Sequence, residues 1–314
     1  MLPATVFHSM RSRALPILLL FALSAIAPAD VVTDVRIALL QGNFPAAESQ
    51  LQNYRAAHGV DPEYLEALSW IARASVSAQR LEAAESYATQ IESSAHQLLQ
   101  HRALDAEPHL PLALGAALEV QAQVLQARGQ NAKALALLRR SLVTYGNTSL
   151  RARLQKNLNL LGLAGRPAPP LSSAEYLGIR PVSLERMRGS PVLLFFWAHW
   201  CGDCKHEGPI ISQLTSEFSS GGLKVVAPTQ LYGYAAQGED ATPNDELAYV
   251  GQVWQHYYPG LQAIPVPVSK ANFDRYGAST TPTLVLIDRR GNVALYHPGV
   301  MSYEELRAAI ERAM

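Results

Sequence analysis

The chain has 314 residues, enough for two domains of ordinary size, and its 26 basic and 26 acidic side chains cancel. A neutral balance argues against a nucleic-acid partner and against an anionic membrane surface. Two cysteines in the whole chain exclude a scaffold held by several disulfides, so stability has to come from apolar cores.

Arg11 and Arg13 precede an apolar stretch from Ala14 to Ala27, and Ala27-Pro28-Ala29 fits a small-x-small cleavage site before Asp30. The pattern predicts an export signal over 1–29, with Met10 as an alternative start. The stretch is short against the about 20 apolar residues of a membrane span, so no stable span is expected; an uncleaved anchor is the competing reading. No cysteine follows the apolar run, which excludes a lipoprotein anchor. The expected location is the bacterial periplasm or cell exterior, with membrane anchoring if the signal stays attached.

Residues 30–164 are rich in Ala, Leu, Gln and Glu and read as consecutive amphipathic helices. Three stretches resemble one another: Gly42-Asn43-Phe44-Pro45-Ala46-Ala47-Glu48, Arg80-Leu81-Glu82-Ala83-Ala84-Glu85 and Gly129-Gln130-Asn131-Ala132-Lys133-Ala134-Leu135. Each is a tight turn opening a helix with small residues, and it looks like the turn inside a tetratricopeptide repeat. In the third copy Leu118, Ala122 and Leu125 take the packing positions of one helix, and Ala134, Leu138 and Leu142 those of the next. The first two copies are 37 residues apart, longer than the 34-residue repeat, and Pro108 and Pro111 lengthen the next gap. A partner-binding array and a plain helical bundle both fit. Proline density over 165–171 then predicts a semi-rigid linker and a domain boundary.

From 172 to 314 the texture is mixed α/β. Strands are predicted over 192–197, 223–229, 283–287 and 293–296, with Arg289-Arg290-Gly291-Asn292 as a hairpin turn. Ser302-Tyr303-Glu304-Glu305 is a capping box, and Leu306 and Ile310 give the last helix an apolar face. Between the first two strands lies Trp200-Cys201-Gly202-Asp203-Cys204-Lys205, which holds both cysteines of the chain. Ile210, Ile211, Leu214 and Phe218 follow at helical spacing, so the pair sits where a strand turns into a helix. Two thiols separated by two residues can close a small disulfide ring that another thiol reopens. A CxxC is also half of a zinc site, but no second cysteine pair exists and only His199 and His206 lie near, so no metal is expected.

These motifs resemble the thioredoxin-like superfamily, and most closely its exported TlpA/ResA-like thiol-disulfide oxidoreductases. The likeness runs from Pro181–Gly189, similar to that family's lead-in hairpin, through Phe196-Trp197-Ala198-His199-Trp200-Cys201 to Thr281-Pro282-Thr283. It covers roughly residues 172–314 and implies an α/β thioredoxin-like fold with a central mixed sheet there; the all-α tetratricopeptide-like hairpins before it lie outside the resemblance, so the expected chain is multidomain. The likeness further implies dithiol exchange with protein thiols and disulfides, a redox partner that recharges the dithiol, and no diffusible cofactor. Two departures stand out. Phe195 occupies the strand position where cytoplasmic thioredoxins carry a buried Asp, and the segment from Leu231 to Leu261 is longer than a minimal fold requires.

Cys201 is the expected nucleophile, since unpaired N–H groups and the dipole at a helix amino end favour a thiolate. Cys204, one turn further in, is expected to resolve the mixed disulfide. Glu207 lies three residues on, on the same helical face; it matches the active-site glutamate of the ResA-like subgroup and is expected to exchange a proton with Cys204. Gly202 and Asp203 lie inside the ring, where the Asp203 charge opposes a thiolate and favours a reducing potential. Thr281-Pro282 resembles the fold's cis-proline site, implying a backbone edge for an extended substrate, with Trp200 as a flat apolar contact. Pro209 should kink its helix. His199 and His206 are expected at the surface. Tyr232, Tyr234, Tyr249, Trp254, Tyr257 and Tyr258 form either a satellite core or a partner-facing surface. A disulfide oxidase with the same dithiol, and a helical adaptor without turnover, are the competing functions.

Overall fold

The computed structural model describes residues 30–314; the expected export signal lies outside the described residues. Seven helices come first: α1 (Val31–Leu40), α2 (Phe44–His58), α3 (Pro62–Ser77), α4 (Leu81–Leu98), α5 (His109–Ala127), α6 (Asn131–Tyr145) and α7 (Arg151–Gly162). Three-residue turns join α1 to α2, α3 to α4 and α5 to α6. All three turns close in the same way. Asn43, Arg80 and Gln130 donate their N–H groups to Ala38, Ser75 and Leu125 carbonyls at 2.8–2.9 Å. The middle residue of each is left-handed: Gly42 at φ +70°, Gln79 at +58° and Gly129 at +74°. Ala47, Ala84 and Ala134 stand at the same place in the helices that follow and are fully buried, which lets each pair approach closely. Between α4 and α5 the longer connection is a 3-10 turn, Leu104–Ala106. After it, Glu107 caps α5 by accepting the N–H groups of His109 and Leu110.

The remaining elements are β1 (Tyr176–Leu177), β2 (Val192–Phe196), α8 (Gly202–Glu217), β3 (Lys224–Val226), α9 (Pro243–Tyr257), β4 (Val266–Pro267), α10 (Lys270–Tyr276), β5 (Thr283–Ile287), β6 (Val293–Pro298) and α11 (Tyr303–Ala313). The main sheet has the order β3-β2-β5-β6, with β2 parallel to β3 and the other pairs antiparallel. All five residues of β2 and of β5 are buried, as interior strands covered on both faces must be. Leu193, Phe195, Leu284 and Leu286 pack with the apolar sides of α8 and α11. Leu194, Phe196, Val285 and Ile287 face the other way, with Phe273 and Tyr276 of α10 and Leu163 beyond α7. The predicted capping box is formed at Ser302 and Glu305.

Two local expectations need correction. No hairpin forms over 181–189. There the N–H groups of Arg186, Arg188 and Ser190 bond to Ser183, Glu185 and Met187 carbonyls in a 3-10 turn, which leaves few donors for a ladder. The strand lies upstream, as β1, and pairs with β4. The strand expected over 223–229 ends at Val226, because Ala227 and Thr229 turn their N–H groups to Pro265 and Pro267.

The proline-rich segment runs along the outer strand of the sheet. Gly165 and Ala168 donate to Val293 and Gly291 carbonyls at 2.8 and 2.9 Å, and Val293 donates back to Arg166. This covers an edge that would otherwise expose unpaired groups. Beside it α7 packs on α10. Asn159 Nδ2 donates to Tyr276 O at 2.7 Å, and the Tyr296 hydroxyl donates to the same carbonyl at 2.9 Å. Gly277 ends α10 at φ +63°, and a Cβ there would fall on the backbone of Gln155 and Lys156.

Two substitutions test this framework. Gln79→Gly relieves a left-handed side-chain residue at an exposed turn and should raise stability by up to about 1 kcal/mol in urea unfolding. Gly277→Ala combines a disfavoured φ with backbone overlap and should cost roughly 2 kcal/mol or more. An alanine variant as stable as the parent would show that the α7–α10 contact is not close.

Candidate active site

The β2–α8 junction carries both cysteines, joined as a disulfide. Strand β2 ends in the interior, and the chain is held as it leaves the sheet. Trp197 N–H donates to Pro228 O at 3.1 Å, Trp197 Nε1 to Ala227 O at 3.1 Å, and the Thr229 hydroxyl to Trp197 O at 2.9 Å. Cys201 is then the N-cap of α8. Its Sγ accepts the Cys204 N–H at 3.1 Å, so the sulfur takes one of the donors a helix amino end leaves open. Cys204 is completely buried and Cys201 retains a small exposed area. Gly202 and Asp203 are exposed, and a Cβ at Gly202 would meet nothing within 4 Å. Trp200 is 49% exposed beside the disulfide, its ring edge-on to Tyr232 at 5.5 Å.

The loop before β5 closes the site from the other side. The Thr281–Pro282 peptide is cis, and Thr281 O lies 3.4 Å from Cys201 Sγ. Pro282 O accepts the Gly299 N–H at 2.8 Å, which ties this loop to the end of β6. Two residues on, Met301 N–H reaches both carboxylate oxygens of Glu207 at 3.3–3.4 Å. Glu207 is 1% exposed, one turn along α8 from Cys204. Burial pushes its pKa up to about 7, with the Met301 N–H opposing the rise. Pro209 lies within α8, as expected, and Gly208 before it is required: a Cβ there would approach the Tyr258 ring to 2.7 Å. Phe195, where an acid was absent, packs edge-on against Tyr258.

The structure corrects the placement of His199. It is buried, with Nε2 3.3 Å from Oε1 of equally buried Glu246, close enough for an ion pair but off the line of a hydrogen bond. Burial lowers its pKa, and the Glu246 charge pulls the other way. Glu246 also accepts the N–H groups of Tyr232 and Gly233, so it fastens the long insert to the active-site turn. Rings of Tyr232, Tyr234 and Tyr249 stand edge-on around the imidazole at 5.2–5.6 Å. Trp254 and Tyr258 belong to the main core rather than a satellite, and Tyr257 alone of the six aromatics is exposed. His206 is exposed as expected. Nothing in the sequence marks Glu246, which reads as an ordinary first-turn acid of α9.

A disulfide seated on a helix N-cap, facing a cis-proline loop, at the edge of this four-stranded sheet is a thioredoxin-type arrangement. The sequence model of the thioredoxin-like domain family matches residues 186–314. Residues 186–314 are a thioredoxin-like domain. The helices α1–α7 lie outside that match. The thiol:disulfide interchange protein DsbE of Xylella fastidiosa is 30% identical over 146 residues, covering 45% of this chain and 64% of its own length. The thiol-disulfide oxidoreductase ResA of Bacillus anthracis is 27% identical over 150 residues, covering 47% of this chain and 77% of that protein. A crystal structure of a thiol:disulfide interchange protein DsbE from Chlorobium tepidum is similar at 31% identity, covering 48% of this chain and 96% of that one, with a TM-score of 0.37. The chain thus spans less than two thirds of the Xylella protein, and the thioredoxin-like domain accounts for less than half of the chain.

Glu207 makes the thioredoxin-like domain sensitive to pH in a defined direction. Unfolded, the carboxyl ionises near its ordinary value of 4.5; folded, it holds its proton up to about pH 7. The folded state therefore binds the extra proton between those values, and stability falls as pH rises through that window. Glu207→Gln removes the dependence. Its Tm should exceed that of the parent at pH 8 and match it near pH 4; a lower Tm at pH 8 would contradict a buried, reluctant carboxylate.

Proposed function

We propose that this chain is an exported thiol–disulfide oxidoreductase that reduces or rearranges disulfides of other proteins through Cys201 and Cys204. The observation that carries the reading is the Cys204 N–H aimed at Cys201 Sγ at 3.1 Å. In the reduced protein that donor, together with the helix dipole, favours negative charge on Cys201. The more accessible sulfur is then also the more nucleophilic one.

The Cys201 thiolate attacks one sulfur of a substrate disulfide; that S–S bond breaks, and the other substrate sulfur leaves as a thiolate and takes up a proton. Cys204 then loses its proton and attacks Cys201 Sγ, closing the 201–204 disulfide and releasing the second substrate thiol. Two electrons pass from the dithiol to the substrate, and a redox partner must return them. Glu207 is the acceptor for the Cys204 proton: buried, one turn away, and titrating near neutrality. Thr281 offers its backbone beside the sulfur, Pro282 shapes that edge, and Trp200 supplies exposed apolar surface. Gly202 and Asp203 tune the ring, the Asp charge favouring the reducing direction. The helix pairs α1/α2, α3/α4 and α5/α6 are read as tetratricopeptide-like and as the part that holds a partner. Export rests on the 1–29 pattern; among the described residues no helix is long and apolar enough to cross a membrane.

Cys204→Ala should trap mixed disulfides on Cys201 that dithiothreitol releases, and the parent should reduce insulin. Absence of both would rule the reading out. The measured potential separates reductant from oxidase, near about −270 mV or about −120 mV respectively. In single turnovers from a preformed mixed disulfide, the resolving rate should rise with pH through about 7. Glu207→Gln should remove that inflection and slow resolution roughly 10²-fold at neutral pH; an unchanged profile would remove Glu207 from the proton path.

A further inference from the structure

A cleft of about 770 Å³ opens between the helical layer and the loop that leads to Pro282. Ser279 and Thr280, exposed and immediately before Thr281, form one wall. Helices α3, α5 and α7 form the other, with Arg73, Leu112 and Arg153 among its side chains. The cleft therefore begins one residue from the carbonyl that lies 3.4 Å from Cys201 Sγ.

The lining holds three carboxylates and three cations, but they are not matched evenly. Asp105 is occupied by Ser149, whose hydroxyl and N–H both donate to it. Glu107 is occupied by the cap of α5. Glu119 takes both Arg153, at 2.8 Å, and Lys156, at 3.2 Å. Burial would raise the Glu119 pKa, yet these two cations outweigh it and hold the carboxyl below its usual range, so the trio is satisfied and charged. Arg73 is left over. Among the described residues its guanidinium forms no hydrogen bond or ion pair; it stacks on Trp70 at 3.8 Å, and its Nε is buried without an acceptor. Burial, with Arg153 nearby, lowers its pKa to about 10, which keeps it cationic at neutral pH. An unpaired, planar, half-buried cation is a receptor for a carboxylate. Leu112, 46% exposed, adds an apolar contact beside it.

We infer that this cleft is a second docking site for the polypeptide whose disulfide meets Cys201, and that Arg73 binds a carboxylate of that polypeptide. The inference rests on the dithiol reading above and deepens it, because it assigns the substrate class: extended protein segments with an acidic side chain close to the reacting cysteine. A chain paired along Thr281 and continuing past Thr280 and Ser279 enters the cleft. Extended chain advances about 3.3 Å per residue, so spacings of about two to six residues between the cysteine and the acidic group are the range to scan. The helical layer thereby supplies selectivity to a sulfur that has none of its own.

The test uses the full chain and symmetrical disulfide dimers of a short peptide, with Asp or Asn placed at each spacing in that range. At one spacing the reduced protein should prefer the Asp peptide about tenfold in kcat/KM, as expected for one partly shielded charge-assisted pair. Arg73→Gln should bring the Asp/Asn ratio to about one, and Arg73→Glu should turn the preference toward a Lys peptide. Each ratio is measured within one protein, so a loss of fold cannot imitate the result. Equal rates for Asp and Asn at every spacing overturn the inference and leave the dithiol chemistry standing. The same peptides with Ser for Cys, fluorescein-labelled and titrated onto the oxidised protein, should show the same ratios in Kd. If no peptide is reduced, the dithiol reading fails, and the Kd ratios alone decide the cleft: a ratio of one at every spacing overturns it.

Discussion

An α-helix that starts beneath a sulfur atom is the constraint on which the site depends. Strand β2 is buried to its last residue, so the chain must turn where water cannot satisfy its backbone. The open N–H groups of α8 then need acceptors, and Cys201 Sγ provides one. One hydrogen bond thus satisfies the helix and gives the two sulfurs different characters. Cys201 sits where negative charge is favoured, whereas Cys204, one turn deeper, is sealed in the core. The asymmetry comes from backbone geometry rather than from a neighbouring base.

Around that junction the acid–base groups are arranged by burial. Phe195 makes the strand side of the site apolar, and the one carboxylate behind the disulfide, Glu207, is reached from the helix instead. Among the described residues its polar contact is the Met301 N–H, supplied by the loop that also fastens Pro282. Glu207 and the Pro282 loop are therefore both held by one short segment, 299–301. On the opposite flank the buried pair of His199 and Glu246 anchors the long insert through the backbone of Tyr232 and Gly233. That buried contact makes the insert part of the site's frame rather than a decoration on it.

The helical layer is joined to the thioredoxin-like domain through the tight approach of α7 to α10 at Gly277 and through a proline-rich segment laid along β6. That joint brings α3, α5 and α7 next to the loop that carries Thr281 and Pro282, so the cleft at Arg73 exists only because the two halves are in contact.

Much of the site was legible in the sequence because its signals are local. The Cys201–Cys204 spacing, the apolar run before it, the Ser302–Glu305 box and the repeated turns at Gly42, Gln79–Arg80 and Gly129 each express hydrogen bonds made within a few residues. Strands β5 and β2 were recognisable for the same reason: a short, uniformly apolar run has to be buried on both faces. Other features were invisible because they join distant parts of the chain. Pro181–Gly189 suggested a hairpin through its resemblance alone, and its 3-10 hydrogen bonds, with β1 pairing to β4, decided otherwise. His199 reads as a surface residue until α9 packs a glutamate against it, and the proline-rich stretch reads as a spacer until β6 offers it partners. The amino-acid sequence alone determined where the two cysteines lie and where the helices after the repeated turns, after Cys201 and at Ser302 begin, since capping and periodicity act over a single turn. Tertiary structure alone decided that Glu207 is buried, that His199 lies against Glu246 and that the Arg73 guanidinium in the cleft meets no anion, since desolvation depends on what the rest of the chain brings near.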